Sequence, residues 1–144
     1  MQYTKIAGGN PISHYLVRLE TDEEIVGTIT HFCDDQRIDT AIVAGIGSVH
    51  HAVLGYFDRA GKEYLRRTIE PDCEIVSLEG NISLKEGKAY PHVHVTLGTR
   101  DFQALAGHLF EGRVAATCEL YFRVLPKIVQ RRKDEASGLW LLDV

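Results

Sequence analysis

The chain has 144 residues, of which 44% are hydrophobic and 25% are charged, and its formal net charge is -4. This is the balance of an ordinary globular domain, and it excludes a disordered tail, a coiled coil and a collagen-like chain. No stretch approaches the roughly 18 apolar residues that cross a bilayer, and the N-terminus leads into no apolar signal segment. We therefore expect a cytoplasmic protein without a membrane partner.

The first predicted elements are a strand and a helix. Alternating apolar and polar residues predict a strand over residues 14–20. Thr21, with Glu24 three residues later, is a capping-box signature, and it predicts a helix from Thr21 to about Gln36. The spacing of the apolar residues gives this helix one buried face, formed by Ile25, Ile29 and Phe32.

The rest of the chain shows strand patterns separated by polar turns. Two apolar runs flank Gly45, Gly47 and Ser48, which predict a bend or bulge. Residues 59–62 predict a hairpin turn, and Pro71 opens a new segment. Short connections favour antiparallel pairing, so the predicted class is α+β, a mostly antiparallel sheet with one main helix packed on a face. The predicted strands after the helix are 40–47, 49–57, 63–70, 74–84, 90–97 and 113–125, with a short mixed segment at 103–110.

The chain ends on an apolar segment, 139–144, which contains the single tryptophan, Trp140. An exposed apolar terminus is unfavourable in water. The tail either docks on its own sheet or fills a subunit interface, and the sequence leaves both open. We expect one domain over residues 1–144, with a core at about 12–126 and a tail at 127–144.

The cysteines favour a structural role. Cys33, Cys73 and Cys118 are far apart, odd in number and contain no CxxC motif. This pattern argues against a disulfide framework and against a thiolate zinc site. We expect reduced thiols that pack as small apolar side chains.

The strongest chemical signal is the histidine pair His92 and His94. On a strand, residues i and i+2 point to one face, so the two imidazoles lie side by side. His108 follows Gly107, which permits close backbone approach, and it is the candidate third ligand of a metal site. Nitrogen ligands suit zinc first, with nickel, copper or iron as alternatives. The competing interpretation is a histidine pair bonded to backbone; a cupin is disfavoured because Gly98 stands where its glutamate would follow.

Other polar motifs carry weaker signals. His50 and His51 are adjacent, so on a strand they face opposite sides and cannot share a site. The segment 45–48 could cradle a phosphate, but no GxGxxG motif or Walker lysine follows, and a bulge is the preferred interpretation. The basic clusters 66–67 and 131–133 are predicted to be solvated faces, which an oligomer could combine into a weak anion-binding surface.

Several motifs occur along the chain in one order: AGIGSV (44–49), SLEGNIS (77–83), PHVHVTLG (91–98), GHLFEG (107–112) and a closing strand at 114–124. In order and spacing they resemble the PPC (plant and prokaryote conserved) domain family over roughly residues 12–126. One departure is Ala106, which replaces the first glycine of the family's pair before His108. The resemblance implies a sheet flanked by a helix, assembly as a homotrimer, and a metal site at His92, His94 and His108 near a subunit interface.

The resemblance implies a non-enzymatic, trimeric binding or regulatory domain that associates with DNA. The plant members bind DNA through AT-hooks, whereas this chain has no Arg-Gly-Arg-Pro core, and an acidic net charge gives phosphate binding no support. Two alternatives stay open. One is a metal-dependent enzyme whose three histidines hold an ion that activates water, with Glu79, Glu111 or Glu119 as general base. The other is a structural trimer pinned by the ion.

Overall fold

The protein is built on one large, mostly antiparallel sheet. The computed structural model describes residues 1–9, 12–70 and 72–144, so the predicted new segment at Pro71 falls outside the described residues. Within these ranges, no helix is both long and apolar enough to span a membrane. The elements are β1 (Gln2–Gly9), β2 (Ile12–Leu19), α1 (Ile25–Gln36), β3 (Ala41–Asp58), β4 (Glu63–Ile69), β5 (Cys73–Lys85), β6 (Lys88–Gly98), β7 (Ala104–Val124), β8 (Gln130–Lys133) and β9 (Trp140–Asp143).

The strand order confirms the predicted α+β class. The path through the sheet is β1-β2-β7-β3-β5-β8-β9, with β4 paired to β3 and β6 paired to both β5 and β7. β3, β5, β6 and β7 thus pair in a closed circuit, and these pairings are antiparallel. The exception to antiparallel pairing among the named strands is β5 with β8, which meet at one parallel pair, Leu84 and Gln130.

The helix α1 begins later than the sequence predicts. Glu24, not Thr21, is its N-cap, and the Glu24 carboxylate accepts hydrogen bonds from the backbone N–H groups of Val26 and Gly27. The predicted start is wrong because the preceding residues pair with β7 instead: the N–H of Asp22 donates to the carbonyl of Val114. Tertiary pairing thereby displaces the local capping signal.

The core lies between α1 and one face of the sheet. Ile25, Ile29, Phe32 and Cys33 form the buried face of α1, and each fully buried large apolar side chain contributes about 1.5–3 kcal/mol. The ring of Phe32 packs against several aromatic rings, including those of Tyr15 and Phe122. The prediction for the cysteines is confirmed, because all three are buried, and burial raises the pKa of the Cys33 and Cys118 thiols to about 12.

Two strands each join segments that the sequence predicts as separate. The runs 40–47 and 49–57 form one strand, β3, because the predicted bulge shifts the register between Gly45 and Gly47 without ending the ladder. The mixed segment 103–110 and the strand predicted at 113–125 likewise form one 21-residue strand, β7. This continuity lets the first part of β7 pair with β6 while the rest pairs with β3 and β2.

The C-terminal tail docks on its own sheet. β8 and β9 form an antiparallel hairpin that joins β5 at its end. The structure also corrects the prediction that residues 131–133 form a solvated face. Arg131 is only 7% exposed, whereas Arg132 and Lys133 are exposed. The side chain of Arg131 points inward because its guanidinium donates hydrogen bonds to three neutral oxygen acceptors.

Candidate metal centre

The register between β6 and β7 brings the three predicted histidines together. His94 lies directly opposite His108, and His92 lies two residues before His94 on the same face. Val93 and Val95 alternate with them and are buried in the core. Gly107 serves the close approach that the sequence predicts, because a Cβ atom there would lie 2.8 Å from the carbonyl oxygen of Gly55.

The three imidazoles form one compact cluster within a single chain. Their ring centroids are 5.2 Å apart for His92 and His94, 5.1 Å for His92 and His108, and 5.4 Å for His94 and His108. One ring nitrogen from each residue lies within 4.8 Å of the other two, an arrangement that could hold a metal ion. The sequence left open whether one chain or two would supply the third histidine, and the structure brings all three from one chain.

The three histidines differ in exposure and in proton affinity. His108 is 7% exposed, and its Nδ1 atom is buried without a hydrogen-bond partner among the described residues. Burial, helped by the charges of neighbouring groups, lowers the pKa of His92 and of His108 to about 4. His94 is exposed. Two of the three rings are therefore neutral near pH 7, and a neutral imidazole is the form that binds a metal.

Of the three candidate general bases, one borders the histidines. Glu79 lies opposite His94 in the register between β5 and β6. Glu111 lies 3.8 Å from a ring nitrogen of His51, and Glu119 is the cross-strand partner of Arg18. The described contacts of Glu111 and Glu119 are thus with residues outside the histidine cluster.

A cavity of about 470 Å³ opens beside His92 and His108. The hairpin of β8 and β9 forms one of its walls. The sequence pointed to His92 and His108 but missed the remainder of this cavity, because its residues come from segments far apart in the chain. Besides the two histidines, its lining consists of Phe57, Lys62, Glu63, Tyr64, Arg66, Tyr90, Phe110, Arg131, Ser137, Gly138, Leu139, Trp140 and Leu141.

The adjacent histidines His50 and His51 contact different carboxylates, which agrees with the expectation that they do not share a site. The Nε2 atom of His50 lies 2.8 Å from a carboxylate oxygen of Asp22. The Nδ1 atom of His51 lies 3.6 Å from a carboxylate oxygen of Glu70. Neither histidine belongs to the cluster around His108.

The chain matches a known family over most of its length. A family model described as the Plants and Prokaryotes Conserved (PCC) domain matches residues 6–126. Among curated proteins, no relative matches the chain.

Solved structures resemble the protein over nearly all of both chains. A candidate DNA-binding protein from Bacteroides thetaiotaomicron has 30% identity and a TM-score of 0.90, with 98% of this chain and 96% of that chain covered. A metal-containing protein from Archaeoglobus fulgidus has 34% identity and a TM-score of 0.85, with coverages of 98% and 97%. A plant- and prokaryote-conserved protein from Pyrococcus horikoshii has 33% identity and a TM-score of 0.83, with coverages of 94% and 97%.

The lowered pKa values predict an acid-sensitive fold in the metal-free protein. The pKa of both rings falls from the ordinary value of 6.5 to about 4 on folding. Between pH 6.5 and about pH 4, His92 and His108 therefore bind protons in the unfolded chain but stay neutral in the folded one. Stability from these groups is fully present above pH 6.5 and falls as the pH drops towards 4. In chelator-treated protein, the double variant His92→Gln/His108→Gln should show a weaker dependence of unfolding free energy on pH in this window. His31→Gln, on the exposed side of α1, is the control, and an unchanged slope in the double variant would contradict the assignment.

Proposed function

Because the chain belongs to the Plants and Prokaryotes Conserved domain family, we propose that it is a binding or regulatory protein built around a metal centre at His92, His94 and His108. Zinc is the first choice of ion. The observation that carries this proposal is the set of three ring nitrogens, all from one chain, that lie within 4.8 Å of one another. A similar protein from Archaeoglobus fulgidus is described as metal-containing, which supports the proposal.

The chemistry of the donor set fits a divalent transition metal. Three imidazole nitrogens are a ligand set that zinc accepts while keeping one position open. His92 and His108 need not lose a proton near pH 7 before they bind, since their pKa values lie at about 4. The buried Nδ1 atom of His108 has no partner in the described part of the chain, so this ring retains hydrogen-bonding or ligating capacity. A bound zinc ion would supply Lewis acidity.

We further propose that the protein is a homotrimer, assembled through the sheet face that carries His94. Leu16, Tyr121, Ala44, Glu79 and His94 follow one another across neighbouring strands in a continuous register row. An exposed apolar patch of this kind marks an interaction surface. The large apolar residues exposed by 38–59% on these strands are Leu16, Ile42, Ile46, Val76 and Tyr121. Further copies of the chain would cover them.

The metal centre and the trimer are tested together. Protein purified without chelator or nickel affinity should carry one zinc ion per chain by mass spectrometry, and light scattering should give three times the mass of one chain. His94→Ala should weaken zinc binding by more than the about 10- to 100-fold loss that follows from removing a residue that only orients a ligand. Because His94 is exposed in the single chain, this variant should keep its fold. It should also keep its mass, because the exposed apolar residues of the same face remain to hold the copies together.

His50→Ala is the matched control, since His50 lies outside the cluster, and it should keep its zinc. Zinc far below one ion per chain would contradict the metal centre. The mass of a single chain would contradict the trimer. Dissociation of the trimer by His94→Ala would instead favour a metal ion that holds the subunits together.

DNA binding is the second candidate function. It is favoured by the likeness to the Bacteroides thetaiotaomicron protein, a candidate DNA-binding protein with 30% identity. Arg132 and Lys133 are exposed on β8, and a trimer would present this pair three times. The net charge of -4 confines any contact with phosphates to such local basic surfaces.

Duplex binding should therefore be weak and sensitive to salt. In fluorescence anisotropy, mixed and A·T-rich duplexes should bind at about 50 mM salt and lose at least about tenfold in affinity by about 200 mM, because phosphate contacts release counterions. Arg132→Gln/Lys133→Gln should weaken binding to both duplexes, whereas Lys88→Gln/Lys127→Gln should not. Absence of binding at the lower salt would remove DNA as a partner.

A further inference from the structure

The cavity beside the histidine cluster has the size of a small-molecule site. Its volume of about 470 Å³ falls within the range of about 300–1,000 Å³ that is typical of ligand pockets. Its lining includes His92 and His108 together with Trp140 and Leu141 of the β8–β9 hairpin. The tail therefore borders an open cavity next to the histidine cluster.

A buried cation without a carboxylate partner lines this cavity. The guanidinium of Arg131 donates hydrogen bonds to the Oγ atom of Ser83 at 2.8 Å, the Oδ1 atom of Asn81 at 2.8 Å and the carbonyl of Trp140 at 2.7 Å. All three acceptors are neutral. Across residues 1–9, 12–70 and 72–144, no carboxylate forms an ion pair with Arg131. An arginine that is only 7% exposed normally has a counterion, and two of the five guanidinium N–H groups remain for one.

Further positive charge faces the same space. Arg66 and Lys62 line the cavity, and Glu63 is the one carboxylate among its lining residues. The imidazole side chains of His92 and His108 supply no negative charge. A divalent ion on the three histidines would add two positive charges that the imidazoles do not offset. The cavity therefore offers an electrostatic environment that favours an anion.

The remaining walls are aromatic. Tyr64 packs edge-on against Phe110, with ring centroids 5.0 Å apart, and the guanidinium of Arg66 lies 3.9 Å from the centroid of the Phe110 ring. Tyr90 lies under Arg131, with the guanidinium carbon 5.1 Å from the ring centroid. Trp140 also lines the cavity. Such walls favour a flat, apolar body through offset or edge-to-face ring contacts.

We propose that this cavity binds a small carboxylate with a flat apolar body, and that Arg131 is its anchor. The planar guanidinium matches the two oxygens of a carboxylate, and the aromatic walls match the apolar body. The inference deepens the proposed function, on which it rests, because the ion at His92, His94 and His108 would strengthen the attraction for the anion. The protein would thereby couple its metal centre to the presence of an organic acid.

Benzoate and its neutral isostere benzamide test the proposal. Both are titrated into the zinc-loaded protein, with calorimetry and the fluorescence of Trp140, the single tryptophan, as readouts. Benzoate should bind at least tenfold more tightly than benzamide and should change the Trp140 emission. Equal affinities for the two compounds, or binding of inorganic phosphate with none of benzoate, would overturn the proposal.

Two substitutions locate the site. Arg66→Gln should weaken benzoate binding about three- to tenfold, while Arg67→Gln, which removes the same charge from a residue outside the cavity lining, should leave it unchanged. Arg131→Lys keeps the charge but loses the planar fork, and it should weaken benzoate binding at least tenfold. Equal effects of Arg66→Gln and Arg67→Gln would overturn the assignment even if Arg131→Lys failed to fold.

The experiments distinguish failure of the cavity proposal from failure of the metal-centre proposal. Zinc content is measured on the same samples, and removal of zinc should weaken benzoate binding while leaving the preference over benzamide. Retained zinc without a preference for benzoate would overturn the cavity proposal alone. A preference for benzoate in protein that never binds zinc would overturn the metal centre and support the cavity.

Discussion

The antiparallel register of β6 and β7 sets His94 directly opposite His108, and the candidate site depends on this pairing. Because side chains alternate along a strand, a slip of one residue in β6 would turn His92 and His94 into the core and expose Val93 and Val95. Those two valines are 0% and 3% exposed, so their burial fixes the register. The hydrophobic core thus holds the three imidazoles together without any metal ion.

Local patterns in the sequence were sufficient to predict part of this arrangement. The alternation around His92 and His94 predicts that both point to one face of a strand, and the many short connections predict a mostly antiparallel sheet. Both features depend on residues that are close in the chain. The meeting of His94 with His108 is a long-range pairing. The glycine before His108 made this residue a candidate third ligand, but no local pattern predicts which strand it pairs with.

The predictions that proved wrong share a physical cause: contacts with distant segments of the chain override the local sequence pattern. Thr21 has the local signature of a helix cap, but pairing of residues 22–24 with β7 moves the cap to Glu24. Arg131 belongs to a charged run that predicts a solvent-exposed surface. Its guanidinium is instead buried, because it donates hydrogen bonds to Ser83 and Asn81 of β5. Nothing within the tail itself encodes those acceptors, so the cavity beside the histidines could not be foreseen.

The sheet face opposite the core therefore combines two kinds of surface around one cluster. On one side of the histidines, the C-terminal hairpin covers a cationic, aromatic cavity. On the other side, strands β2, β3, β5 and β7 expose large apolar residues. A metal ion bound at this cluster would lie between the cavity and the proposed assembly surface. It would thereby link ligand binding in the cavity to assembly of the subunits, and this link is the basis of the proposed regulatory function.

Anomalous diffraction at the zinc absorption edge tests the central claim most directly. In crystals of protein prepared without chelator, one peak per chain should lie about 2.0–2.1 Å from a ring nitrogen of each of His92, His94 and His108. A map with no peak at this cluster, or with a peak that leaves His108 outside bonding distance, would contradict the account.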